Sequence, residues 1–238
     1  MPNTDQAQGV QIISSSGVAT EFGGGKTFNI ALNLDALDLN TYLLVFVYLL
    51  DGTGIAYAPD SVTWQSDTFT LLFGTGNGFY LARIIAPTAA NDVIAINCTS
   101  PNDPSSICYG HIAFRNVNQT TPEILASLNT DIARGLDTPV NGADVNMEAL
   151  SILFMDSTVS GNAQAPTILT FGQRKLIEVW NDPHNTSILA QVSIANINGN
   201  SDLVRNFHWA WSDGIPFSYV NLILDAEPFY HEAGTIHT

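Results

Sequence analysis

From Phe28 to Asn33 the chain alternates: Phe28, Ile30 and Leu32 fall on one parity, Asn29, Ala31 and Asn33 on the other. A period of two puts all the apolar side chains on one side of an extended backbone, the pattern of a half-buried strand. Short segments of this kind recur along the chain. They predict strands over Val10–Ser14, Thr27–Leu34, Tyr42–Leu50, Ser61–Gln65, Phe69–Phe73, Gly78–Ile85, Asp92–Cys98 and Cys108–Arg115. A second set covers Glu148–Asp156, Thr167–Phe171, Leu176–Asn181, Ser187–Asn196, Asn206–Ser212 and Tyr219–Ala226. Turn formers punctuate them: DGTG at 51–54, GTGNG at 74–78, DGIP at 213–216. The most apolar run, TYLLVFVYLL from Thr41 to Leu50, is too short to cross a bilayer and suits one buried strand.

One stretch departs from the alternation. Thr121 and Pro122 precede Ile124, Leu125, Leu128, Ile132 and Leu136, with Gly135 near the end. A Thr cap, a Pro at the first helical position and spacings of three and four predict a short helix over 121–136. One helix among many strands gives an all-β fold, an antiparallel sandwich with a helical insertion. The expected organisation is an N-terminal arm (1–26), one sandwich domain (27–228) and a mobile acidic tail (229–238).

The stretch EFGGGKTFNI raises nucleotide binding, because GGGKT resembles the end of a phosphate-binding loop. That loop has its first glycine five residues before the last, and here Thr20 stands there. It also opens a helix whose amides face the phosphate, whereas a strand pattern follows Lys26. The glycines read as a turn entering a strand.

Composition narrows the function classes. Hydrophobic residues make up 45% of the 238 and charged residues 12%, enough apolar mass for a core. Asn and Thr number 21 each, types that suit turns and the solvent faces of strands. Seven Lys and Arg face 22 Asp and Glu, for a formal charge of −15. Such a chain repels nucleic-acid phosphates and anionic membranes. The start, MPNTDQAQGV, has neither the cationic nor the apolar region of a secretion signal.

Cys98 and Cys108 flank the loop TSPNDPSSI and share the apolar parity of their strands. Facing ends of one hairpin would permit a disulfide; two packed thiols are the other possibility. The bridge is the expectation, given an oxidising final location.

Several motifs in order carry a resemblance. SVTWQSDTFTLL precedes FYLARIIAP and VIAINC, followed by GHIAFRNVNQTTPEI. This resembles a jelly-roll-like β-sandwich domain of secreted bacterial proteins and phage structural proteins. Val117, Gln119, Thr120, Thr121 and Pro122 match its "GVDQTTP" segment, with Asn116 and Asn118 in place of the usual Gly and Asp. Ala86–Pro87 stands at its Pro turn, and FHWAWS and YVNLILDAE look like its closing strands. The resemblance implies a jelly-roll sandwich and a structural or adhesive role. It carries no catalytic residue.

The remaining chemistry is sparse. His231, Glu232 and His237 lack the H-E-x-x-H spacing of a zinc protease. No G-x-S-x-G elbow is present. His111 falls on the outward parity beside Arg115 and reads as solvent-facing, and His184 lies in a turn. Asp35 and Asp38 could offer oxygens to Ca²⁺ but lack the EF-hand spacing, so no cofactor is expected. Phe207, Trp209 and Trp211 share a face; exposed, they would form a platform for sugar rings, and buried, they are core. Trp64 and Trp180 read as packing residues.

The expected function is non-enzymatic: a virion or cell-surface structural protein (a phage capsid-decoration, minor capsid or fibre protein) that packs against its own copies or a larger shell. The alternative is an extracellular glycan-binding module using Trp209, Trp211, Tyr57 and Phe79.

Overall fold

A computed structural model describes residues 9–34, 40–64, 67–74, 78–85, 87, 91–140, 148–156, 167–168, 173–181, 188–196 and 205–226. Nine strands come first: β1 (Gln11–Phe22), β2 (Gly25–Asn33), β3 (Tyr42–Leu50), β4 (Ser61–Trp64), β5 (Asp67–Thr68), β6 (Thr70–Phe73), β7 (Phe79–Ile85), β8 (Asn91–Thr99) and β9 (Ser105–Arg115). Then follow β10 (Glu123–Val140), β11 (Glu148–Asp156), β12 (Thr167–Ile168), β13 (Gln173–Asn181), β14 (Ile188–Asn196) and β15 (Arg205–Leu224). The pairings are antiparallel.

The pairings of the first nine strands are nested. β1 pairs with β9, β2 with β8, β3 with β7, and β4 with β5. The ribbon then rolls up, so that β9 also pairs with β3 and β8 with β4. The result is one sheet ordered β1-β9-β3-β7-β6 facing another ordered β2-β8-β4-β5. This is the jelly-roll connectivity, two interlocked Greek keys. Between β5 and β6 the chain changes sheets at Phe69, whose ring is buried between them. A third sheet, β10-β15-β11-β14-β13 with β12 beside β15, covers the opposite face of the β1-β9-β3-β7-β6 sheet.

The middle sheet therefore has two cores. On β3, Leu43, Val45, Val47 and Leu49 pack toward β2, β4 and β8, meeting Phe28, Ile30, Trp64, Ile94 and Ile96. Tyr42, Leu44, Phe46, Tyr48 and Leu50 pack the other way, against Leu150, Ile152, Val220, Leu222 and Leu224 of the third sheet. This explains the unbroken apolar run at Tyr42–Leu50, whose nine residues are all buried. A strand alternates only when one of its faces meets water.

The link between the jelly roll and the third sheet is tied down locally. Asn116 takes a left-handed φ of 61°, a conformation that Asn tolerates well. The Asn118 Oδ1 accepts hydrogen bonds from the amides of Thr120 (2.9 Å) and Thr121 (3.1 Å), an Asx turn. Its own amide donates to the Asp225 carbonyl at 2.9 Å.

Three expectations need correction. First, no helix occurs among the described residues, and 121–136 enters β10, which pairs with β15 from Glu123 to Val140. The polar signal before Pro122 is the Asx turn rather than a helix cap. The spacing of four in Ile124, Leu128, Ile132 and Leu136 is even, so it suits a strand as well as a helix. Second, DGIP does not end a strand. It lies within β15, where Arg134 of β10 stands alone against the four residues 211–214, a multi-residue bulge. Within the first 26 residues, Gln11–Phe22 forms β1 and Gly25 opens β2.

Third, the two cysteines are not bridged. β8 and β9 join different sheets, so Cys98 lies in one core and Cys108 in the other, and no disulfide joins them. Burial pushes the Cys98 thiol up to about 12, with the Asp60 carboxylate adding to the effect. Two alkyl adducts per chain are expected by mass spectrometry after labelling under denaturing, non-reducing conditions. At pH 8 in the native protein Cys98 stays unlabelled. A chain that takes up no label until reduced contradicts this arrangement.

Candidate functional site

Four connections meet at one end of the jelly roll: the β1–β2 turn, the loops after β3 and β8, and the approach to β7. Asp51 organises them. Its Oδ1 accepts hydrogen bonds from the Thr53 amide (2.9 Å), the Thr53 hydroxyl (2.7 Å) and the Ile55 amide (2.9 Å), and its Oδ2 from Asn102 Nδ2 (2.7 Å). Burial raises its carboxyl, but these donors outweigh that and hold it at about 2. The Gly52 amide donates to the Asn102 carbonyl at 2.7 Å, and a Cβ on Gly52 would lie 2.8 Å from the Asp103 backbone. Asp103 in turn accepts the Gly24 amide on Oδ2 at 2.7 Å. The glycine turn that looked like a phosphate loop thus turns an amide toward the chain's own carboxylate, and β2 follows it as a strand. Ser100 and Ser105 touch through their hydroxyls, with the half-buried Tyr57 beside them.

These groups are engaged with one another. With four donors already on it, the Asp51 carboxylate has little left to offer a cation, and no group of three or more metal-ligating side chains occurs among the described residues. The Asp51→Ala variant is expected to lose about 2 kcal/mol at neutral pH, measured by urea unfolding. Because the folded-state pKa lies below the ordinary carboxyl value, this contribution is complete above about pH 4 and fades as the pH falls toward 2. Equal midpoints for variant and wild type would show that the loops hold without it.

A second polar group was misplaced by parity alone. His111 is 1% exposed, on the β9 face that packs toward β2, β4 and β8, rather than in solvent. Its Nε2 lies 3.1 Å from the Ser14 hydroxyl, while its Nδ1 has no hydrogen-bond partner. Desolvation lowers its pKa to about 4. Ser and His at this distance match a nucleophile and its base. Such a base needs an orienting acceptor on its other nitrogen and a stabilised imidazolium. Here that nitrogen is unpartnered and burial disfavours the cation.

A third cluster joins the layers. Arg83 Nε on β7 meets Glu123 Oε1 at the start of β10 at 2.5 Å. Burial raises the Glu123 carboxyl against the opposing pull of Arg83. The buried Tyr42 phenol is raised well above its ordinary value by desolvation and by the Glu123 charge.

Of the aromatic candidates, Phe79 is 2% exposed and its ring packs at a tilt against Phe73, with centroids 5.1 Å apart, so it cannot face a sugar. Tyr57 is half-buried at the loop end. Trp209 and Trp211 lie on β15, with Trp209 paired with Leu136 and Ile168; their side chains are outside the described residues. So are Asp35, Asp38, His184, His231, Glu232 and His237. Trp64 is fully buried. Asp51 and Asn102 were missed by sequence reasoning, and DGTG and SPND signalled only turns. Compared with protein-family models, curated proteins and solved structures, the chain matches none.

Proposed function

We propose that this chain is a non-enzymatic structural protein of a virion or cell surface, acting by self-assembly or by contact with a larger shell. The observation that carries this is the double core: a middle sheet sealed on both faces by other sheets, its apolar side chains devoted to packing. The loop carboxylate Asp51 supports it, since its acceptors are committed to loop donors. A jelly roll alone does not decide function, but a stiff three-layered block with latched loops suits a building unit. Partners on this reading are other copies or shell proteins, and the location is the particle or extracellular surface.

Light scattering and co-purification with the particle encoded by neighbouring genes test it. Assembly or particle association is expected. A strict monomer that joins no particle overturns it. Binding on a glycan array that is lost in Trp209→Ala would instead make the chain a glycan-binding module.

A further inference from the structure

We propose that the outer face of the β2-β8-β4-β5 sheet is the surface through which two copies of this chain associate; this rests on the assembly reading above. Along β2 the residues Thr27, Asn29, Ala31 and Asn33 are exposed between buried Phe28, Ile30 and Leu32. Register places Ala31 beside Val93 and Asn29 beside Ala95, and Ala95 also pairs with Thr63 of β4. Among the described residues of this outward parity on the four strands there is no Asp, Glu, Lys or Arg.

That blank face belongs to a chain with a formal charge of −15. Two such chains repel wherever carboxylates meet, so a second copy finds its least opposed approach where none project. The face is also prepared for burial. Thr27 Oγ1 donates to Asn97 Oδ1 at 2.6 Å, and Asn97 Nδ2 donates to Ser61 Oγ at 2.8 Å, a ladder across three strands. Covering the three side chains of this ladder leaves their paired groups satisfied. At the centre lie the short apolar side chains Ala31, Val93 and Ala95, rimmed by Thr and Asn, the layout of an interface patch.

The size sets the strength. Two nine-residue strands are roughly 30 Å long and, with their short neighbours, offer on the order of 400 Å² per copy. A standard interface takes about 800 Å² per partner. The contact is therefore a weak two-fold one, with the same patch on both copies. It becomes effective when a shell holds many copies at high local concentration.

Sedimentation equilibrium of the full chain over a concentration series, at low and high salt and with EDTA, tests this. The expected result is a reversible dimer that tightens at higher salt, as the repulsion between acidic chains is screened, and that ignores EDTA. Ala31→Glu and Ala31→Lys should each weaken the dimer at least tenfold, because either sign is buried unpaired, with unchanged melting temperatures because the position is exposed. The Lys variant is the sharper arm: it lowers the net negative charge, yet still loses the dimer. Dimers intact in both variants, dissolution by EDTA, or no dimer at all would overturn the proposal. Association that persists in the variants overturns this face and leaves the assembly reading standing. A wild-type monomer that also joins no particle fails both.

Discussion

Replacing Gly110 by Ala will destabilise the protein by about 3 kcal/mol or more, though it adds one methyl group. Gly110 lies mid-β9, paired with Gly17 on one side and with Phe46 on the other. A Cβ there would press on the Ser16 carbonyl, sit 2.5 Å from the end of the Phe46 ring and lie 3.0 Å from the Gly17 Cα. The ring could turn, but the Ser16 and Gly17 backbone belongs to the paired strand and cannot move without opening the sheet. Glycine in a strand interior costs stability unless another group needs its space, and here Phe46 needs it. Gly25→Ala is the control: its new methyl would find only Thr99 Oγ1, at 4.0 Å. Urea unfolding of both variants checks this. Equal midpoints would mean that Phe46 does not cover Gly110.

Acidification will destabilise the wild type more than a His111→Gln variant, by about 3 kcal/mol between pH 6.5 and pH 4. The His111 imidazole is neutral when folded, its pKa lowered to about 4 by burial, against 6.5 when unfolded. Between these values the unfolded chain takes up a proton that the folded chain refuses, so stability falls as the pH drops through that window and is unaffected above it. Other groups act as well: Asp51 loses its contribution only toward pH 2, and the raised carboxyl of Glu123 works in the opposite sense. The comparison with His111→Gln removes them, because both proteins carry them. Unfolding free energies measured at several pH values in this range should diverge; parallel curves would show that His111 is protonated without cost, and hence not enclosed.

Much of the fold was legible in the chain, because alternation reports burial directly. Parity alone places β2 and β8 to within two residues at each end. What parity cannot say is which sheet a strand joins. Cys98 and Cys108 were each put on the correct face of their own strand, yet the two strands go to different sheets and the thiols to different cores. His111 shows the same limit: it is opposite the apolar parity of β9, but β9 is covered on both sides, so neither parity reaches water. The spacing of Ile124, Leu128, Ile132 and Leu136 fits two periods at once, and pairing with β15 decided between them. At the loop end, Asp51 and Asn102 lie 51 residues apart in the chain and meet only through the fold.

The nested pairing has a consequence for how the molecule comes into being. Gln11 meets Arg115 at a separation of 104 positions along the chain. Ribbons like this have high contact order and fold slowly, since the entropy of closing long loops comes before the contacts that repay it. The innermost pair, β4 with β5, can zip as soon as it is made, whereas β1 must wait, unpartnered, until the ribosome has released β9. Through that interval the apolar β3 run is exposed, so synthesis in the cell should depend on a chaperone that shields Tyr42–Leu50 until the ribbon rolls shut.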